Sequence, residues 1–140
     1  MKTPKHLKHK PILEVADYDS IDGHRANNTD AKCLSIGVAQ WNGSLETELS
    51  AKVWRQVDNR WSRQSEELPL NRVIDLATLV CESKLYSDGK KLSSKGNFII
   101  SKTERSDLHD KILKMELEGN KEYLDKGFKR LAKALKELGY

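Results

Sequence analysis

The sequence predicts a small α+β fold: an antiparallel β-meander packed by a central helix, with two C-terminal helices. Three observations carry this reading. Apolar and polar residues alternate over 31–41 and again over 49–57, the period of a strand with two unlike faces. Asp58-Asn59 separates the second run from a third, and both residues tolerate the positive φ of a tight hairpin turn. From Pro69 onward the apolar spacing changes to that of a helix.

In chain order, residues 1–10 hold Lys2, Lys5, Lys8 and Lys10 and read as a basic, flexible tail. Residues 11–140 read as one domain, a size at which a single core is usual. Pro11 to Ala16 is a short strand anchored by Ile12 and Val15. Asp17 to Asp30 is polar and reads as a loop. From Ala31, Leu34, Ile36 and Val38 share one face, while Cys33, Ser35, Gly37, Ala39 and Trp41 share the other. Strand is the favoured reading; a helix capped by Thr29 or Asp30 is the alternative, with Ala31, Leu34, Val38 and Trp41 at helical spacing.

Asn42-Gly43 signals a turn. Leu49, Ala51, Val53 and Val57 then mark the second strand of the meander. Residues 60–67 continue it as an edge strand or the lining of a groove, because neither face is apolar. The meander is thus expected over about 31–67 and the central helix over about 69–84, with Leu70, Val73, Ile74, Ala77, Val80 and Cys81 on its apolar side. Phe98-Ile99-Ile100 is a further short apolar run. Ser101-Lys102-Thr103-Glu104 resembles a capping box, opening helices over about 102–138. The last of these carries a stripe of Leu124, Phe128, Leu131, Leu135 and Leu138.

Composition narrows the classes. Charged residues make up 33% and hydrophobic residues 37%, enough of each for a solvated surface and one core. No apolar run reaches the length of a membrane span, and no apolar stretch follows the basic N-terminus, so the expected compartment is the cytoplasm. Cys33 and Cys81 lie in apolar segments and read as free thiols. The net charge of +4 is spread thinly: residues 1–30 and 31–68 each carry five basic and five acidic groups. Asp17, Asp19 and Asp22 miss the spacing of a calcium loop, and no Cys/His spacing fits zinc. There is no phosphate-binding glycine loop or nucleophile elbow, so no metal, cofactor or enzymatic activity is expected.

The densest functional signal is one hairpin. Lys52, Trp54, Arg55, Arg60, Trp61 and Arg63 bring cations and aromatics together. Such a surface suits single-stranded nucleic acid, with rings stacking on bases and cations holding phosphate. The same residues also suit a sheet face where arginine lies over tryptophan and pairs with Glu66 and Glu67.

Two resemblances follow from longer stretches. Asn28-Thr29-Asp30-Ala31-Lys32, Ser35-Ile36-Gly37-Val38-Ala39-Gln40-Trp41, Ser50-Ala51-Lys52-Val53-Trp54-Arg55 and Trp61 to Pro69 resemble a functionally uncharacterised bacterial protein family over about residues 6–82. That resemblance implies no chemistry. Ile36-Gly37-Val38, Glu48-Leu49, Val53-Trp54, Arg60-Trp61 and the helix after Pro69 are similar, in order, to single-stranded-DNA-binding domains of the transcriptional coactivator (positive cofactor) type. This second resemblance implies a homodimer that binds single strands on its sheet; Glu66-Glu67-Leu68-Pro69 stands where those domains have a Lys-Gly step. The expected function is a small binding module contacting single-stranded nucleic acid. The alternative is a protein-interaction or regulatory domain working through the C-terminal stripe or the Glu-rich end of the hairpin at Glu66 and Glu67, with a homodimer as one outcome.

Overall fold

The computed structural model describes residues 1–42, 48–103 and 107–140. Their contacts gather into two compact units, Met1–Leu76 and Ala77–Tyr140, where the sequence suggested one domain over 11–140. Gly43 of the expected Asn42-Gly43 turn and Glu104 of the expected capping box lie outside the described residues.

The first unit is an antiparallel sheet. Its strands are β1 (Lys10–Val15), β2 (Ala31–Val38), β3 (Leu49–Val57), β4 (Arg60–Trp61) and β5 (Glu67–Pro69). The order is β1-β2-β3-β4, and β5 also pairs with β3. Residues 31–38 are therefore strand, as the period of two favoured. The expected third strand over 60–67 is interrupted. β4 pairs with Gln56 and Val57, whereas β5 pairs with Ser50, Ala51 and Lys52. Between them Ser62 and Ser65 bond to nearby backbone groups, a local alternative to the ladder that serine favours. Asp58 and Asn59 turn β3 into β4 with φ of 50° and 62°, the paired positive values of a primed hairpin turn. Residues 17–30 contain two single-turn helices, Tyr18–Ser20 and Gly23–Arg25.

Directly opposed residues of neighbouring strands share a face, so the register sorts the side chains. Leu13 opposes Ile36, Val15 opposes Leu34, Leu34 opposes Val53, and Ala51 opposes both Ile36 and Leu68. That face is apolar. Ser35 opposes Glu14 and Lys52, Lys52 opposes Glu67, Ser50 opposes Gly37, and Cys33 opposes Trp54. That face is small and polar, and it is the buried one: Ala31, Cys33, Ser35 and Gly37 are buried along β2, while Leu34, Ile36 and Val38 are only half-buried.

The N-terminal segment explains the inversion. Residues 1–10, expected as a free tail, are tied to the sheet. Thr3, Pro4 and His9 are buried. The Thr3 amide and hydroxyl both donate to Glu14 Oε2, and the Met1 carbonyl accepts from the Asp17 amide at 3.0 Å. The Lys-rich spacing hid this, because the lysines point the segment's charge outward while Thr3, Pro4 and His9 face in.

α1 (Leu70–Ser87) begins directly after β5, starting beside Pro69 as expected. In the second unit are α2 (Asp107–Gly119) and α3 (Lys121–Glu137), which contact each other. Phe98 forms an isolated bridge with Lys95 rather than a strand. Of the C-terminal stripe, Leu124, Phe128 and Leu131 are half-buried and Leu135 and Leu138 are exposed. The Asp110 carboxylate accepts from Tyr86 Oη at 3.0 Å and Lys102 Nζ at 2.7 Å, joining α2 to the end of α1. No helix among the described residues is long and apolar enough to cross a membrane.

Gly37 marks the tightest approach of the N-terminal segment. A Cβ there would lie 2.1 Å from the Lys10 carbonyl oxygen and 2.8 Å from His9 Nε2. Gly37→Ala is expected to destabilise the protein by about 1–3 kcal/mol, the cost of overpacking a filled site. Gly127→Ala, in α3 with open space around the added atom, is expected to stabilise by about 0.4–1 kcal/mol. Urea denaturation of the two variants should therefore shift in opposite directions.

Candidate functional site

The polar face of the sheet closes around one residue. His9 is fully buried and its ring meets β2, β3 and β5 together. Nε2 lies 2.9 Å from Ser35 Oγ, and Nδ1 lies 3.0 Å from both Ser50 Oγ and Glu67 Oε1. Glu67 Oε1 also accepts from Ser50 Oγ at 2.7 Å and from the Gln40 amide at 2.9 Å. Trp54 Nε1 donates to Ser35 Oγ at 2.8 Å, and the indole meets the His9 ring edge to face at 5.6 Å.

The proton positions follow from what each group is able to do. The indole N–H only donates, so Ser35 Oγ accepts from it, and the same hydroxyl is in hydrogen-bond contact with His9 Nε2. An ionised carboxylate only accepts, so His9 Nδ1 donates to Glu67 Oε1. The result is an unbroken chain from Trp54 through Ser35 and His9 to Glu67.

Burial opposes ionisation of Glu67. The hydrogen bonds from Ser50, the Gln40 amide and His9, with the Lys52 charge, outweigh it and hold the carboxyl below its ordinary value. Lys52 Nζ lies 3.5 Å from Glu67 Oε2 and 4.4 Å from the centre of the Trp54 ring. Oε2 accepts no hydrogen bond among the described residues; the ammonium charge is what compensates it.

Hydroxyl, imidazole and carboxylate in this order form the connectivity of a nucleophilic triad. Here Ser35 is only 5% exposed and His9 not at all, so no substrate carbonyl reaches Ser35 Oγ in this arrangement. The cluster acts as an anchor that joins the N-terminal segment to three strands. Ser35, Ser50 and Glu67 lie 26 to 58 residues from His9 along the chain, and the sequence carries no spacing signal for them.

The residues singled out from sequence are divided by the fold. Trp54 is 1% exposed and has no face open to a base; as the bulkiest residue on the buried side, it fills the core. Lys52 is covered by the same cluster. Arg55 is held by Glu66, whose Oε2 accepts from Nε at 2.9 Å, and by Asp30 Oδ1, 2.7 Å from Nη1. The guanidinium beside it keeps the Glu66 carboxyl below its usual range. Trp61 is half-buried, edge-on to Trp54 at 5.7 Å. Arg60 and Arg63 are exposed and have no ion pair among the described residues. Cys33 and Cys81 are free thiols, and burial pushes the Cys33 thiol up to about 11. Among the described residues no group of three metal-binding side chains comes together.

The opposite, apolar face carries a groove of about 450 Å³ lined by Leu13, Val15, Leu34, Ile36, Val53 and Leu68, with Val73 of α1 also lining it. Glu66, paired with Arg55, also borders the groove. Leu13 is 68% exposed. In the second unit a smaller cleft of about 250 Å³ is lined by Tyr86, Lys102 and Asp110 among others.

Comparison with known sequences adds a family. The profile of DUF6530, described as a family of unknown function, matches residues 1–95. The chain belongs to this family. The DUF6530 match takes in the N-terminal segment, all five strands and α1, so the His9 anchor and the apolar groove both lie inside it. No match was found among curated proteins or among solved structures. The resemblance to coactivator-type single-stranded-DNA-binding domains is not shown by any comparison.

The depressed Glu67 carboxyl has a consequence for stability. A carboxyl whose folded value lies below its unfolded value, about 4.3, contributes stability that is present above the unfolded value and lost as pH falls through the folded one. The stability gap between wild type and Glu67→Gln, read from urea midpoints, should be full near neutrality and shrink below the ordinary carboxylate range. A gap that stays constant into strong acid would refute this role.

Proposed function

We propose that this protein is a non-catalytic interaction module whose binding surface is the apolar face of the sheet. The observation that carries the reading is the groove itself. Four strands present apolar side chains to an open cavity, while the small polar face is the one closed by the N-terminal segment. Exposed apolar surface of this extent and continuity marks sites where proteins meet. An amphipathic helix laid into an apolar groove is a common form of such contact.

A labelled leucine-rich amphipathic helical peptide tests this directly. Fluorescence anisotropy should show saturable binding to the full chain. Leu34→Glu, in the floor of the groove, should weaken binding at least tenfold while the far-UV spectrum is unchanged. Equal binding by the two proteins would remove the groove as the site.

A second reading keeps single-stranded nucleic acid as the ligand, and one observation favours it: Arg60 and Arg63 are exposed on either side of Trp61 with no ion pair among the described residues. Three of the six residues of the hairpin signal remain for it, because Lys52, Trp54 and Arg55 are engaged elsewhere. Anisotropy of a labelled single-stranded oligonucleotide across a salt series should show binding that falls as salt rises, as counterion release requires, and that weakens in Arg63→Ala. Absence of binding at low salt would retire this reading.

A further inference from the structure

We propose that α3 binds the surface of an anionic lipid bilayer, lying along it rather than crossing it. This goes beyond the interaction surface on the sheet and stands independently of it, because every residue involved lies in the second unit.

Charge is unevenly placed along the chain. Residues 1–68 carry equal numbers of basic and acidic groups, whereas residues 126–136 hold Lys126, Lys129, Arg130, Lys133 and Lys136 with no carboxylate between them. All five are exposed. Lys126 pairs with Glu122 at 3.3 Å; the other four have no ion pair among the described residues. A helix C-terminus attracts cations within its last turn, which accounts for Lys136 but not for the row before it.

The same helix is apolar on its other side. Leu124, Phe128 and Leu131 are half-buried within the second unit. Leu135 continues their row at 39% exposure and Leu138 at 73%. At about 3.6 residues per turn, Arg130 falls to one side of the Leu131, Leu135 and Leu138 row and Lys136 to the other. The last turns of α3 therefore present cations and apolar side chains together. A nucleic acid offers phosphates to the cations but gives the leucines no apolar layer to enter. A lipid surface serves both, with anionic headgroups for the charges and the acyl boundary for the leucines. Lysine stems are long enough to carry their ammonium groups to headgroup level. A cluster of roughly four to eight basic side chains on an amphipathic helix suits an anionic leaflet, and α3 carries five between 126 and 136. The contact is peripheral, since no helix among the described residues is long and apolar enough to cross a membrane.

Co-sedimentation of the full chain with vesicles tests this. The chain should pellet with mixed phosphatidylserine and phosphatidylcholine vesicles, stay in solution with phosphatidylcholine alone, and be partly released as salt rises. Lys129→Gln combined with Lys133→Gln should weaken the binding about thirtyfold, at about fivefold for each cation near an anionic leaflet, with an unchanged far-UV spectrum. Leu138→Ser, at the exposed end of the row, should remove the binding that persists in high salt. Equal binding to neutral vesicles overturns the proposal, as does no binding to the anionic ones at low salt. Anionic binding that Leu138→Ser leaves untouched and that a single-stranded oligonucleotide competes away assigns the face to nucleic acid and overturns the lipid surface. A chain that sediments as a dimer without lipid and dissociates in Leu138→Ser places the row against a second copy and overturns it as well.

Discussion

One buried pair, His9 and Glu67, organises the first unit. Removing one partner of a buried hydrogen-bonded pair costs about 1–3 kcal/mol, because the remaining polar group is left buried and unsatisfied. Here the pair is not alone. Ser35, Ser50 and the Gln40 amide bond to it, Trp54 bonds to Ser35, and Lys52 balances the charge at Glu67 Oε2. The contacts reach residues near both ends of the unit, so a local cluster ties the N-terminal segment, β2, β3 and β5 into one body. Gly37 is the steric condition for it: a Cβ at that position would occupy the space that the Lys10 carbonyl and the His9 imidazole take against β2.

The anchor also decides which face of the sheet is closed within the first unit. A sheet with one face apolar and one polar ordinarily buries the apolar face. This sheet does the reverse within its first unit. Its polar side chains are satisfied internally by the His9 network, and Trp54 supplies the apolar bulk beneath them. The aliphatic side chains of β1, β2, β3 and β5 are then free to form a groove. Burial of apolar area is the main driving force available to association, which is the physical ground on which the proposed interaction surface rests.

The hairpin shows how composition and function part company. Read as a string, Lys52, Trp54, Arg55, Arg60, Trp61 and Arg63 look like one surface of rings and cations. In the fold they lie in three environments. Trp54 faces in, because alternation in β3 puts it opposite Cys33. Arg55 is on the outside but is held by Glu66 and Asp30. Arg60 and Arg63 are exposed on the outside. The sequence allowed an arginine–glutamate pairing at this place, and Arg55 with Glu66 realises it.

Period and turn chemistry were legible because they are local. Alternation named β2 and β3 and the faces of β2. Asp58-Asn59 named the hairpin turn through its tolerance of positive φ, and helical spacing after Pro69 named α1. The interruption between β4 and β5 was not legible, since Ser62 and Ser65 choose their own backbone bonds only once the chain has turned. The His9 anchor was invisible for a different reason. A histidine among lysines is indistinguishable from a solvated one until strands 26 to 58 residues away deliver a serine and a carboxylate to its ring. By itself the sequence determined the α+β class, most of the strand and helix positions and which residues share a face. Only the tertiary structure decided which face is buried. That choice depends on where the first nine residues come to lie, and long-range contacts place them.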